Sequence, residues 1–366
     1  EEAQVRQVAD GTWGEPIANA VGKPLQLDAK AMAEWLTPGE CPVKAMATEW
    51  TPSWHHPSVE QDVEEWAHGA RLRYDGDRAN EVLAPNCASS WHAAAESRAA
   101  IWSEVDKGRI LGPFPHPPLQ GFKSTPRAII DEMEKSNKWR PISSNNLPVG
   151  RAVNEGIPQA EVPICLPTHR RIQQKIRQAY TRAGRVVLAK RDIKSAYRNV
   201  QVHPDDWHLC GLQWDGQYFV DTHLSFGCRS SVDRFLTVTD ALEWALRRWG
   251  VNVVHYIDDF VFISDSDEEA KVAIEKFEII CRAWGLPIKE EKNVGPGERV
   301  TLLGVDYDMV AMTAAMPAAT LRDIRKACDG GAEGMLVADA ETLVGVLTWA
   351  SSCIVAASTF VQSLRS

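Results

Sequence analysis

No C-x-x-C pair occurs among the eight cysteines, Cys41, Cys87, Cys165, Cys210, Cys228, Cys281, Cys328 and Cys353. That removes the usual sequence signature of a structural zinc site or a dithiol redox centre. The cysteines read instead as reduced, mostly core thiols of an intracellular protein. His55 and His56 have no cysteine or second histidine cluster near them, so zinc is not expected there. No apolar run reaches the roughly 18 residues that a membrane span needs, and the start shows no signal-peptide pattern. The expectation is a chain of the cytoplasm or nucleus, neither secreted nor membrane-bound. An initiating methionine is also missing: the chain opens Glu1-Glu2, as a piece of a longer polypeptide would.

Nor is positive charge in surplus. The formal net charge is −9, which on its own argues against a nucleic-acid partner. Its distribution is uneven, however. Residues 1–110 hold 18 Asp/Glu against 10 Lys/Arg. Residues 168–198 hold Arg170, Arg171, Lys175, Arg177, Arg182, Arg185, Lys190, Arg191, Lys194 and Arg198, with Asp192 as the one acid. Such density is the footprint expected for a phosphate backbone; standing alone it reads as a solvated helix face.

What is present is a normal globular composition, 44% hydrophobic and 24% charged over 366 residues, enough for two or three subdomains. The first 107 residues are rich in Trp and Ala and carry no nameable motif; their tryptophan content predicts a packed extension. Residues 88–108 look helical, and the prolines of 112–118 impose an extended connection. From there the elements are legible. A strand is predicted at 186–192, a hairpin at 209–220 turning at Asp215-Gly216, and a helix at 231–249. A strand–Asp-Asp–strand hairpin follows at 251–264, then a helix opened by Ser266 and Glu269 and stopped by Gly285, then a strand at 300–307.

The hairpin holds the main puzzle. Asp258 and Asp259 interrupt a β-branched, apolar run. Two unit charges about 4 Å apart repel by roughly 4 kcal/mol at an effective dielectric near 20. A solvated turn, basic partners or a divalent cation could each relieve that. The element order, with the inserted hairpin set aside, is β-α-β-β-α-β, a split βαβ arrangement. It would bring Asp192, at the end of the first strand, beside Asp258 and Asp259. A turn has no use for a third acid, whereas Mg²⁺ takes oxygen ligands and bridges carboxylates to phosphates. Two such ions could serve phosphoryl transfer.

These residues resemble reverse transcriptases over about 108–366. Tyr256-Ile257-Asp258-Asp259 is similar to the family's Y-x-D-D box. Asp192, with Tyr197 five residues later, resembles its first palm motif. The stretch 224–230 (LSFGCRS) resembles L-P-F-G-[LW]-[RK]-S, 284–292 the motif ending in lysine, 302–304 the primer grip, and 138–142 (KWRPI) the fingers motif. The segments 108–114, 148–154 and 343–347 are similar to DIRS-like, tyrosine-recombinase-bearing retrotransposons, with caulimovirus-like elements second.

The resemblance implies an α+β right-hand polymerase. Its fingers would be 108–185, its split-βαβ (RRM-like) palm 186–308 with part of the fingers interleaved, and its helical thumb 309–366, without a visible RNase H segment. It implies an RNA-directed DNA polymerase that uses two Mg²⁺ ions, with Mn²⁺ as a substitute. Asp192, Asp258, Asp259 and the Ile193 carbonyl would bind metal, and Lys292 would protonate pyrophosphate or serve as a phosphate ligand. Arg140, Tyr197, Phe226, Gly227 and Tyr256 would contact nucleotide or primer, Tyr197 by excluding a 2′-hydroxyl. The basic residues of 170–185 would follow phosphates. Implied partners are an RNA or DNA template with primer, dNTPs, and further polyprotein domains such as RNase H and recombinase; no membrane is implied.

The sequence departs from the family in places. The fingers segment 130–134 is acidic, with only Lys135 near; 142–146 lacks the usual aspartate; Ser225 and Val232-Asp233 replace Pro and Ala-Pro. These departures motivate an alternative, a degenerate palm kept for nucleic-acid binding or structure with little catalysis. A third reading, an RNA-dependent RNA polymerase, is opposed by Tyr197.

Overall fold

The computed structural model describes residues 26–36, 59–131, 139–159, 164, 166–329 and 337–351. One sheet is built from β1 (Val82–Leu83), β2 (Ile110–Phe114), β3 (Lys123–Ser124), β7 (Gly211–Trp214) and β8 (Gln217–Asp221), in the order β1-β3-β7-β8-β2. β7 and β8 turn at Asp215 (φ 50) and Gly216 (φ 72), both left-handed as a tight hairpin of matching twist requires. The strand Val82–Leu83 and the helix Ala94–Asp106, both upstream of residue 108, are built into this sheet: Trp102 packs edge-on to Phe219. β4 (Arg127–Asp131) and β5 (Trp139–Ser143) form a separate two-stranded ribbon.

The second main sheet is antiparallel, in the order β11-β6-β10-β9: β6 is Val187–Asp192, β9 Val253–Tyr256, β10 Asp259–Ser264 and β11 Val294–Gly297. Its central strands are apolar on both sides because both faces are covered. Ala189, Phe260 and Phe262 face the helices Arg229–Arg248 and Asp267–Trp284, with Phe277 at 5.0 and 5.5 Å from the two phenylalanine rings. Leu188, Val261 and Ile263 face the helix His169–Ala183 and the side chains of Val300, Leu302, Val305 and Tyr307. The helix Asp267–Trp284 starts where the Ser266 hydroxyl accepts from Glu269 N (3.1 Å) and stops at Gly285, φ 76, as its sequence predicts.

One expected element is different. The strand predicted at 300–307 is a hairpin, β12 (Arg299–Leu302) and β13 (Val305–Asp308), continued by β14 (Thr313–Ala315). Leu303 (φ 50) and Gly304 (φ 77) form its two-residue turn, so the chain reverses inside the apolar run. The fourth strand beside β6 is β11 instead. Its Pro296 is tolerated because β11 is an edge strand.

Upstream, the helices Ala29–Leu36 and Val59–His68 pack on the helix pair of this sheet: Met32, Leu36 and Trp66 are buried in the same core. Trp66 Nε1 donates to Thr237 Oγ1 at 3.0 Å, and Arg234 pairs with Glu65 at 2.6 Å. Downstream, Ala318–Asp329 and Val337–Ala350 are helical. No helix among the described residues is long and apolar enough to cross a membrane.

Candidate active site

β9 and β10 are joined by a two-residue turn, Ile257-Asp258. Ile257 has φ 56, a strained conformation for a β-branched residue, of the kind that persists where the surroundings over-determine it. The pairing sets Asp259 directly opposite Asp192, and Ile193 N donates to the Asp258 carbonyl at 2.9 Å. Asp192 thus meets Asp258 and Asp259, 66 and 67 residues further along the chain, at one end of the two central strands.

Asp192 is buried, 2% exposed, and Lys292 Nζ donates to its Oδ2 at 2.9 Å. Lys190 Nζ stands 2.8 Å from Asp259 Oδ1, an ion pair that lacks the direction of a good hydrogen bond. No lysine or arginine among the described residues is ion-paired with Asp258. Burial, then the charges of Asp192 and Asp259, push the Asp258 carboxyl up to about 6. Burial also pushes Asp259 up, against the opposing pull of Lys190. The hydrogen bond to Asp192 raises the Lys292 ammonium.

Among the described residues no three acidic, His or Cys side chains form a ready-made coordination shell; the two lysines act as partners to Asp192 and Asp259. The donor chemistry nevertheless fits a hard divalent cation. All donors are oxygen, Asp259 Oδ1 is buried without a directed hydrogen bond, and Asp258 carries charge that no cation neutralises at contact distance. The bridge from Ile193 to Ile288 uses the carbonyls of Asp192 and Pro287, and none of its hydrogen bonds ends on the Ile193 carbonyl.

Tyr197 sits beside the carboxylates in a short 3-10 turn, entered through left-handed Ser195 (φ 68) and Ala196 (φ 36). Its ring is packed edge-on between Phe226 (5.0 Å) and Phe235 (5.6 Å), and burial followed by the Asp258 charge raises its hydroxyl pKa. Phe226 and Tyr256 are partly open to solvent. Gly227, φ 99, lies so close to β5 that an added Cβ would fall 2.3 Å from the Ser143 carbonyl oxygen. Asn154 anchors the same loop. Its Nδ2 donates to the Gly227 carbonyl (2.8 Å) and to Asn146 Oδ1 (2.7 Å), and its Oδ1 accepts from Arg229 N (2.8 Å).

The structure therefore groups Asp192, Asp258, Asp259, Ile193 and Lys292, with Tyr197, Phe226 and Tyr256 adjoining and Gly227 in the loop beyond Phe226. Arg140 stays on the separate β4–β5 ribbon, exposed, opposite Ile130. Lys135 and most of the acidic fingers segment lie outside the described residues. The basic stretch is largely spent internally: Arg182 pairs with Asp265, Arg185 with Asp267 and Glu298, and Arg198 with Asp221 and Glu104. On the helix His169–Ala183, Arg170 and Arg177 remain exposed.

Two contributors escaped sequence reasoning. Lys190 could have been found, since strand alternation puts it on the same face as Asp192. Glu243 could not: its carboxylate accepts from the buried His255 at both backbone N (3.1 Å) and Nδ1 (2.6 Å), bracing the free edge of β9 just before Tyr256.

A four-stranded antiparallel sheet in this order, with carboxylates on its two central strands, defines a polymerase-type palm. Residues 132–307 match the family "Reverse transcriptase (RNA-dependent DNA polymerase)". A putative enzymatic polyprotein of Cassava vein mosaic virus is 28% identical over 120 residues, 33% of this chain and 18% of the relative. Among solved structures, a foamy viral protease–reverse transcriptase in complex with double-stranded DNA has a TM-score of 0.57 at 14% identity, covering 100% of this chain and 56% of that one. The same foamy viral protein in complex with an RNA/DNA hybrid has a TM-score of 0.55 at 13% identity, covering 93% and 44%. These two likenesses show the fold. The chain spans less than a fifth of the curated relative and about half of the solved ones. Over residues 132–307, just under half of its length, the chain is similar to reverse transcriptases, and it shares their polymerase fold. That family works with divalent metal ions.

Proposed function

We propose that this chain extends a primer 3′-hydroxyl with dNTPs on an RNA template, in a site built for two Mg²⁺ ions that Mn²⁺ can replace. The observation that carries the reading is the pairing of Asp192 opposite Asp259, with Asp258 at the adjoining turn. Asp192 and Asp258 are the main metal ligands, Asp259 the less direct one, and the Ile193 carbonyl a further donor. Bound Mg²⁺ would neutralise the carboxylates and polarise the attacking hydroxyl and the α-phosphate.

The other residues position and exchange protons. Lys292 is protonated at neutral pH, as an ordinary lysine is, and its hydrogen bond to Asp192, which raises it further, holds that ammonium at the carboxylates, where it can give a proton to departing pyrophosphate. Tyr197, fixed between two phenylalanines, crowds the sugar 2′ position. Phe226 and Gly227 line the nucleotide and template pocket, Tyr256 packs by the primer terminus, and Arg140 holds triphosphate by charge-assisted hydrogen bonds. Arg170 and Arg177 face template or primer phosphates. Residues 309–366 act as thumb, and RNase H and recombinase domains belong to the longer protein. The segments 108–114, 148–154 and 343–347 favour a DIRS-like element as its source.

Single-nucleotide incorporation on an RNA template tests this. Incorporation of dNTP that requires Mg²⁺ or Mn²⁺ supports it. Tight duplex binding without incorporation would favour the degenerate-palm alternative.

A further inference from the structure

Arg198 follows Tyr197 directly, yet its side chain points the other way, toward the end of β8 and the helix Ala94–Asp106, where it is 11% exposed. All three of its nitrogens are used. Nη1 donates to both oxygens of Asp221 (2.8 and 2.7 Å) and lies 3.1 and 3.3 Å from the carbonyls of His223 and Leu224. Nε and Nη2 both donate to Glu104 Oε2, at 3.1 and 3.0 Å. Burial alone would lower this guanidinium, but Asp221 and Glu104 more than offset that and hold it charged. Burial and the nearby Arg198 and Arg109 push His223 down to about 3, so its imidazole is neutral and adds no competing charge.

The clamp joins three separate pieces of chain. Arg198 belongs to the turn that presents Tyr197. Asp221, His223 and Leu224 lead into Ser225 and Phe226, the ring that Tyr197 touches. The two strands of chain are also laced by main-chain bonds, Val202 N to Thr222 O (2.8 Å) and Leu224 N to Val200 O (3.0 Å). Glu104 comes from the helix Ala94–Asp106, upstream of the region that matches the reverse transcriptase family. Directional, fully occupied guanidinium pairs fix orientation better than apolar contacts of the same size would.

We propose that Arg198 is a positioning residue for sugar selection, and that Glu104 makes the upstream helix a working part of the selector scaffold. The inference rests on the polymerase reading above. Arg198 sets the Tyr197–Phe226 pair; it does not touch nucleotide. Arg198→Lys keeps the charge but loses the fork, and Glu104→Gln keeps the shape but loses the charge.

The test uses the full chain. In incorporation assays, Arg198→Lys is expected to reduce the preference for dNTP over rNTP by about tenfold, with KM for dNTP rising more than kcat falls. Glu104→Gln should move the preference in the same direction by less. In a Tyr197→Val background, Arg198→Lys should cause no further loss. Unchanged preference in folded Arg198→Lys protein, or an equal loss in the Tyr197→Val background, would overturn the proposal.

A second readout does not depend on activity. The chain has six tyrosines, so with 3-fluorotyrosine labelling the Tyr197 fluorine signal can be assigned through Tyr197→Phe. A shifted or broadened Tyr197 signal in Glu104→Gln, with the other signals in place, supports the clamp even if the wild type extends no primer. An unmoved signal contradicts it, and because Glu104 is at the edge of the clamp this variant serves if Arg198→Lys fails to fold.

Discussion

Asp192 and Asp259 face each other across the pairing of β6 and β10, and each is held by its own lysine, Lys292 and Lys190. Asp258, beside them at the turn, has no such partner among the described residues, and its carboxyl is pushed up to about 6 by burial and its two acidic neighbours. A carboxyl raised in the folded state costs stability as pH climbs from the ordinary carboxyl range through that value. Asp258→Asn should therefore stabilise the protein in EDTA at pH 7 by about 1 kcal/mol, after discounting for solvent screening. The gain should vanish near pH 4, as thermal unfolding at the two pH values would show. The same variant should lose polymerisation by a thousandfold or so. An Asp258→Asn protein less stable than wild type in EDTA at pH 7 would contradict the crowded-carboxylate picture.

Tyr197 is wedged between Phe226 and Phe235. Tyr197→Val should open the space the ring fills and raise rNTP incorporation relative to dNTP, on the order of tenfold or more. Competition between the two nucleotides at one template position measures it. An unchanged ratio would mean that selection lies elsewhere.

The brace under the β9–β10 hairpin predicts a pH effect. Burial alone would lower His255, but its hydrogen bond to Glu243 and the charges of Glu243 and Asp240 more than offset this and raise it above its ordinary 6.5. A raised histidine contributes stability that is fully present below pH 6.5 and lost as pH rises through the folded value. Glu243 is buried but lowered by His255, so its contribution is present above about 4.5 and is lost as pH falls. Unfolding free energy should thus decline above about pH 6.5. His255→Asn should flatten that limb, and urea denaturation from pH 6 to 9 would reveal whether it does.

Gly227→Ala joins a left-handed φ to a Cβ placed 2.3 Å from the Ser143 carbonyl. The expected destabilisation is roughly 2–4 kcal/mol, with the Asn154-anchored loop displaced and activity lost with it. A melting temperature equal to wild type would show that β5 and the loop can separate freely.

Much of this was legible in the sequence, for a physical reason. Alternation and caps are local signals, so β6, β9, β10, the helix Asp267–Trp284 and the turn at Asp215-Gly216 could be read directly. Asp192 could be joined to Asp258 because the split βαβ order dictates which strand ends meet. The run 300–307 misled because Val300, Leu302, Val305 and Tyr307 are apolar on both sides of a turn marked only by Leu303-Gly304. The basic stretch misled because charge counts do not say where partners lie: Asp265, Asp267, Glu298 and Glu104 are each more than 80 residues from the arginines they hold. The Glu243–His255 brace and the Arg198 clamp were hidden for the same reason.

The central claim is that Asp192, Asp258 and Asp259 form a metal-dependent polymerising site, and primer extension tests it most directly. The assay uses a heteropolymeric RNA template, a DNA primer, dNTPs and Mg²⁺, with EDTA and the double variant Asp258→Asn/Asp259→Asn as controls. The expected result is extension that needs the divalent ion and disappears in the variant. Folded wild-type protein that binds the primed template but extends it with neither Mg²⁺ nor Mn²⁺, or extension that survives in the variant, would contradict it.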